Sequence, residues 1–529
     1  MNDSQPLAHK SPPPPPQFLT SVMAKAVERT PYDVWVNISS FLPRSVLSTL
    51  SGVNRSFYEI ATSARYEVVT FLKFDKQTKR LCKNLSDPNI GRGALVRHVK
   101  IEPWVVQPRL KPSHKRGESL WNFVNGVFDP HYAQKKLDER VKQRLQKDIR
   151  YVTDTISGMP NLSEYSLEWK HDRSYHPELY RAFLGPLLTR IRGRLVKLSL
   201  NVPPEMLRSL APIALPRLEH LEVGVCTKKL SKGEINEIFD CFAVFVNNLF
   251  PTLQSLLISS RLPSQCLDLT RFFTLLGVFP HLSGFALSIP FDGTHLSQPR
   301  DLVTFLNKHH LTLQHLQLTT SRCSSADAPI DPESKYWIRN ILTSLATPFP
   351  CLHDVHLALR PLKADLTPII QFLADHARDL DALTLTERAL TYTEVVDILD
   401  GIGAYGHSPR LKQLRLKLQH LSPALLELLA SRVPRLAFLE LSFGEVVATA
   451  AHPGHSGYPA HSSQEEFDLF EAEVRANRRL YAAWELVRID ICQDSRNARL
   501  GDLTRILVDC VPALQRVNQL DAASINLRV

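Results

Sequence analysis

One six-residue pattern returns along most of this 529-residue chain: an aliphatic residue, two variable ones, a second aliphatic, one variable, and a third aliphatic. Nine copies are clear: LVKLSL (195–200), LEHLEV (218–223), LQSLLI (253–258), LSGFAL (282–287), LQHLQL (313–318), LHDVHL (352–357), LDALTL (380–385), LKQLRL (411–416) and LAFLEL (436–441). Weaker copies are VRHVKI (96–101), LSEYSL (162–167), WELVRI (484–489) and LQRVNQ (514–519), the last without its third aliphatic. The closing L-x-L has the period of two of a β-strand, so both leucines enter one core, and the first leucine turns in from the preceding bend. A proline usually stands just ahead, where it ends a helix and sets an extended entry.

Between copies lie helix-like stretches such as EINEIFDCFAVFVNNLF (234–250), DLVTFLNKHH (301–310), SKYWIRNILTSLA (334–346) and SPALLELLASRV (422–433). One strand and one helix cannot enclose a core, but a stack of such pairs buries a continuous apolar seam. The expected fold class is therefore α/β, a solenoid of alternating strands and helices. The strands of an ordinary α/β domain, covered on both faces, would be more continuously apolar. The interval from Leu195 to Leu218 is 23 residues and that from Leu313 to Leu352 is 39, so the stack should be irregular. A Gly/Pro/His/Ser stretch, TAAHPGHSGYPAHSSQEE (449–466), carries no apolar period and is expected as a mobile insertion near residues 447–466. The pattern resembles leucine-rich repeats over most of residues 95–529, without the Asn or Cys that the family places after L-x-L.

A different signal opens the chain. In TPYDVWVNISSFL (30–42) Thr30 suits an N-cap, Pro31 the first helical position and Asp33 the positive end of the helix dipole. Val34, Ile38 and Leu42 recur every four residues, and Trp35 and Phe41 widen the stripe. SVLSTLSGV (45–53) and NRSFYEIA (54–61) continue as a second and a third helix. So small a helical trio cannot hide all of its apolar side chains, so some must face another body.

The segment Pro31 to Ala61 resembles an F-box, without a gap. Pro31 stands at the motif's proline, Asp33 at its acidic position, Val34 at its first leucine, Ile38 at its isoleucine and Leu42 at the leucine closing helix one. Leu47 and Val53 take the next two apolar positions, Phe57 stands where tryptophan is usual, and Thr30 replaces a leucine. The resemblance implies docking through Pro31, Val34, Trp35, Ile38, Leu42, Leu47, Val53 and Phe57 onto a Skp-type adaptor joined to a cullin. It also implies a C-terminal domain that selects proteins for ubiquitination.

In such a stack the variable residues within and just after each L-x-L line the concave sheet, here Glu222, Gln317, His356, Thr384, Arg415, Lys417, Glu440, Arg488 and Asp490, with a basic patch at Arg415 and Lys417. The expected divisions are a Pro-rich, disordered tail (1–22), an F-box-like helical domain (23–66), a basic connecting region (67–155) and the repeats (156–529).

Charge is unevenly placed. Residues 1–150 hold 25 Lys and Arg against 13 Asp and Glu, a net +12 that exceeds the +10 of the whole chain. The densest parts are RLKPSHKR (109–116) and KKLDERVKQRLQKDIR (135–150), the second helical with Leu137, Val141, Leu145 and Ile149 on one side. Either a solvated face or a site for an acidic partner accounts for it, and an RNA or other acidic surface is a third possible partner.

Other signatures fail on context. GIGAYG (401–406) fits G-x-G-x-x-G, yet it follows a helix and precedes a strand, the reverse of a dinucleotide loop. GHSG (454–457) lacks the second glycine of a nucleophile elbow, and His452, His455 and His461 have no Cys or carboxylate at ligand spacing. The eight cysteines form no C-x-x-C pair, which suits a reducing compartment. No apolar run reaches the roughly 18 residues that span a bilayer, and the N-terminus lacks an apolar signal core.

The expected function is a non-catalytic substrate receptor of a Skp, cullin and F-box ubiquitin ligase, without cofactor or metal, in cytoplasm or nucleus. A repeat scaffold that assembles no ligase is the alternative.

Overall fold

Each L-x-x-L-x-L copy becomes one rung of a single sheet. The computed structural model describes residues 30–72, 74–102, 132–168, 177–225, 230–260, 267–321, 336–362, 365–376, 379–403, 410–448, 463–493, 500–518 and 520–521. Its strands are β1 (Val68–Phe71), β2 (His98–Ile101), β3 (Glu164–Glu168), β4 (Lys197–Val202), β5 (His220–Val225), β6 (Ser255–Ser260), β7 (Gly284–Pro290) and β8 (His315–Ser321). They continue as β9 (Asp354–Ala358), β10 (Ala382–Leu390), β11 (Gln413–Leu421), β12 (Phe438–Val446), β13 (Arg488–Gln493), β14 (Arg516–Val517) and β15 (Leu520–Asp521). They lie side by side in sequence order. Every neighbouring pair from β1 to β14 is parallel, and only β15 runs back, antiparallel to β14.

In each rung the first leucine of the motif, such as Leu218, Leu253 or Leu411, is buried in the turn, and the two strand leucines are buried beside it. Parallel strands need a crossover, and here a helix or a helical turn crosses back over the apolar side. The uneven spacing follows from what fills that crossover. The 23-residue interval holds a 3-10 turn, Pro204–Leu210, whereas longer intervals hold helices such as Lys232–Asn247 and Pro299–Lys308. Lys232–Asn247 starts on a capping box in which Ser231 and Glu234 satisfy each other's backbone amides.

Three expectations of extent or frame are corrected. The sheet begins at Val68, inside the region expected as a basic connection, because Tyr66-x-x-Val69-x-Phe71 is itself a copy with aromatic residues in two places. The copy placed at 484–489 is displaced by two: Leu486, Ile489 and Ile491 fill the three apolar positions and Val487 is exposed. The insertion is shorter than expected, since Ser463–Ala476 is a helix, while residues 449–462, with GHSG and its three histidines, lie outside the described residues, as do the tail and residues 109–116. Gly401 of GIGAYG ends helix Tyr392–Ile402, where a Cβ would come within 2.7 Å of Ile370 Cγ2. Helix packing is thus sufficient reason for that glycine. No described helix is long and apolar enough to cross a membrane.

Three short helices precede the sheet: α1 (Tyr32–Ser40), α2 (Arg44–Leu50) and α3 (Arg55–Tyr66). Pro31 is the N-cap of α1 rather than its first residue. Asn54 caps α3, accepting from the Phe57 amide at 2.8 Å. The trio closes on a cluster of its own, Leu47, Phe57 and Ile60, with Trp35 edge-on to Phe57 at 5.1 Å between ring centroids. Tyr66 joins it to the solenoid by packing on the main core and accepting a hydrogen bond from Arg92 Nη1 at 3.1 Å.

Within the solenoid, rings concentrate behind β5 to β8. Phe242 stacks on Phe272 at 5.3 Å, Phe272 meets Phe273 at 5.5 Å, and Phe273 meets Phe305 at 5.9 Å. His309 ends that series, buried against Phe305 at 4.6 Å. Its Nδ1 lies 2.8 Å from the Phe305 carbonyl and its Nε2 2.9 Å from the Phe279 amide, so Nδ1 donates, Nε2 accepts and the ring is neutral. Protonation would set two N–H groups against each other at Nε2.

Burial, more than any other cause, holds the His309 pKa below its ordinary 6.5, and burial lowers His98, His356 and His376 likewise. The unfolded chain then binds protons first, so stability is complete above the ordinary histidine range and is lost as pH falls below it. The urea midpoint is expected to be lower at about pH 5.5 than at about pH 7.5, and a His309→Gln chain should show a smaller difference.

Candidate functional site

Parallel register lines up the residues that lie between inward leucines. Glu222 of β5 stands opposite Leu257, Leu257 opposite Ala286, and Ala286 opposite Gln317. The row continues through His356, Thr384, Arg415, Glu440 and Asp490. Seven of the nine residues expected on the concave face therefore share one row across the sheet. Arg488 lies in the adjacent row, opposite Phe438, and Lys417 in the row on the other side, opposite Ser442.

Charge on this face is largely cancelled where it occurs. Arg415 Nε pairs with Glu440 at 3.2 Å, and Arg488 pairs with Asp490. Both guanidinium groups also lie over the Phe438 ring, at 5.3 and 4.8 Å. The expected basic patch is thereby corrected: Arg415 is balanced by a carboxylate on the next strand. Toward the N-terminal end Lys100 pairs with Glu168.

Between these ends lies a hollow of about 340 Å³ over β6 to β11. Its floor is low because Gly284, Ala286 and Ala382 project almost nothing, and Leu257 makes its β6 end apolar. Gln317, His356, Thr384 and Arg415 surround it, joined by His315, Asp354 and Gln413, which were not expected there. Those three precede the second aliphatic residue of their motif, and the period of two puts that position on the same face. His315 Nδ1 lies 3.5 Å from Asp354, and His356 Nε2 lies 3.3 Å from the Thr386 hydroxyl. Burial, aided by Arg415, lowers the His356 pKa against the opposing pull of Asp354. At the end of the strands Glu387, in a left-handed conformation at φ 75°, bonds the Thr320 amide at 3.0 Å across β9. Hydrogen-bonding groups around a small hollow with one apolar end suit a folded protein surface or a peptide.

The helical trio offers a second surface. Val34 is 41% exposed, Ile38 43%, Phe41 82% and Val53 64%, and Pro31 is exposed with them. Val34, Ile38 and Phe41 follow the spacing i, i+4, i+7, so they form one apolar stripe on and just beyond α1. The other expected docking residues do different work. Leu47 and Phe57 are the interior of the trio, and Trp35 and Leu42 are half-buried against that interior. Phe41, absent from the expected docking set, is the most exposed of these apolar side chains.

No protein-family model matches the chain, and no curated protein matches it. Among solved structures, the leucine-rich repeat-containing protein LegL7 from Legionella pneumophila is similar at 13% sequence identity with a TM-score of 0.30, over 56% of this chain and 88% of its own.

Proposed function

We propose that this chain is a non-catalytic recognition subunit that joins two other proteins. The apolar stripe of Val34, Ile38 and Phe41 docks onto helices of a Skp-type adaptor joined to a cullin, and the concave hollow binds the protein to be ubiquitinated. The observation that carries this reading is the uncovered stripe. The solenoid has a continuous core of its own and the trio has a separate one, yet Val34, Ile38, Phe41 and Val53 remain outside both. Apolar anchors at helical spacing are what a helix-on-helix interface uses. Within this reading Trp35, Leu42, Leu47 and Phe57 set the angle between the helices, and Pro31 and Val53 border the contact.

On the concave side, the hydrogen-bonding hollow, with Arg415 at one end held by Glu440, is the discriminating part. Such a receptor works in the cytoplasm or nucleus and needs no cofactor.

The test is direct. Purified full-length chain mixed with a purified Skp-type adaptor should co-elute as a complex on size exclusion. Separate elution would remove the ligase reading and leave a scaffold that binds proteins through its repeats.

A further inference from the structure

A groove on the helical side of the solenoid gathers Arg150, at the end of the basic N-terminal region, with Arg181 and Arg190 from the two helices that follow. Helix Tyr132–Ser157 forms one wall, and helices Pro177–Phe183 and Gly185–Ile191 form the other. The groove encloses about 510 Å³. Gln146, Ile149, Arg150 and Thr153 line it from the long helix, a spacing that keeps all four on one face. Ile149, Ala182, Pro186 and Leu187 make its floor apolar, while Arg150, Arg181 and Arg190 stand around it. Asp154 is bonded to Arg190 at 2.6 Å. Among the described residues Arg150 and Arg181 have no acidic partner, and both are exposed. Lys142, one turn before Gln146, extends the positive stripe along the helix.

We infer that this groove docks a protein segment carrying acidic and aliphatic side chains, bound as a short amphipathic helix. The aliphatic floor takes the apolar face, and Arg150 and Arg181 take the carboxylates, for which a guanidinium fork is well shaped. A third helix laid between two others also satisfies the ridge-and-groove geometry of helix packing. Nucleic acid suits the site less well, since among the described residues no aromatic side chain lines the groove on which a base could stack. The inference stands apart from the adaptor-docking face, which is built on α1.

The experiment uses full-length protein and a fluorescent peptide with glutamate and leucine at helical spacing, read by anisotropy. Arg150→Glu with Arg181→Glu should weaken binding at least about tenfold and reduce its dependence on salt. Ala182→Trp leaves the charge unchanged but fills the floor, and should also weaken binding about tenfold. Circular dichroism should be unaltered in the charge-reversed chain, whose two arginines are exposed. Undiminished peptide binding in both variants would overturn the inference. So would a uridylate RNA strand that binds more tightly than the peptide and displaces it.

Discussion

Replacing both Val34 and Ile38 by aspartate is expected to abolish binding of a Skp-type adaptor while leaving the solenoid folded. Both side chains are a little over two-fifths exposed in the free chain, so each has apolar surface to lose to a partner. Truncating an interface anchor costs about 2 kcal/mol or more, and a carboxylate buried without a partner adds desolvation to that loss. Two such sites together exceed about 4 kcal/mol, on the order of a thousandfold in affinity. Folding should change little, because exposed substitutions usually stay within about 0.5 kcal/mol and aspartate has only a modest helix penalty. Isothermal titration against purified adaptor, with a thermal melt beside it, separates the two effects. Binding that persists within about threefold would show that this stripe is not the docking face. Trp35→Ala makes a useful contrast, since it removes the ring packed on Phe57 and should loosen the trio itself.

Phe272→Ala is expected to be the most damaging single truncation in the solenoid. Phe272 is fully buried and meets three other rings, Phe239 at 5.8 Å, Phe242 at 5.3 Å and Phe273 at 5.5 Å. Emptying such a site costs about 3–5 kcal/mol, the transfer of the ring plus the cavity left behind. In a stack where each rung touches only its neighbours, a weakened junction also divides the cooperative unit. Urea unfolding followed by tryptophan fluorescence should therefore lose its single transition, with Trp337 and Trp484 reporting rungs beyond the damaged junction. Leu257→Ala serves as the control. Leu257 is only partly buried on the concave face, and its loss should cost less than about 1 kcal/mol. A single unshifted transition in the Phe272 variant would mean that the ring cluster is not a stabilising junction.

The strands were legible because one short motif specifies both the turn and the two inward positions of each rung. Where the motif changed composition, the reading failed. At β1, Tyr66 and Phe71 replace leucines, and Tyr66 belongs to a helix expected to end at Ala61, so the first rung passed for a connection. At β13, Trp484 and Leu486 are both buried, and two apolar residues at the same parity offered two frames that only pairing with β12 separates.

The trio was readable in its periodicity but not in its orientation. Val34 and Trp35 are adjacent on α1, and Trp35 turns inward because Phe57, more than twenty residues later, lies beneath it. Arg415 carries a charge that any sequence reveals, yet Glu440, which balances it, is brought there by strand register alone. The hollow was missed for a related reason. It is made by what Gly284, Ala286 and Ala382 lack, and side chains too small to attract notice in one strand acquire meaning when β7 and β10 place them in one face.

The reversal at the last rung bears on how such molecules coexist at high concentration. Any ladder of parallel strands ends in raw peptide groups onto which another molecule could file, and repetition of that error would grow fibres. Here Asn518 bends the chain back at φ 48°, its side-chain oxygen accepts from the Ile491 amide at 2.7 Å, and β15 runs counter to every other strand. Among the described residues the sheet thus closes on a short rung of opposite direction, which offers a parallel newcomer a poor template.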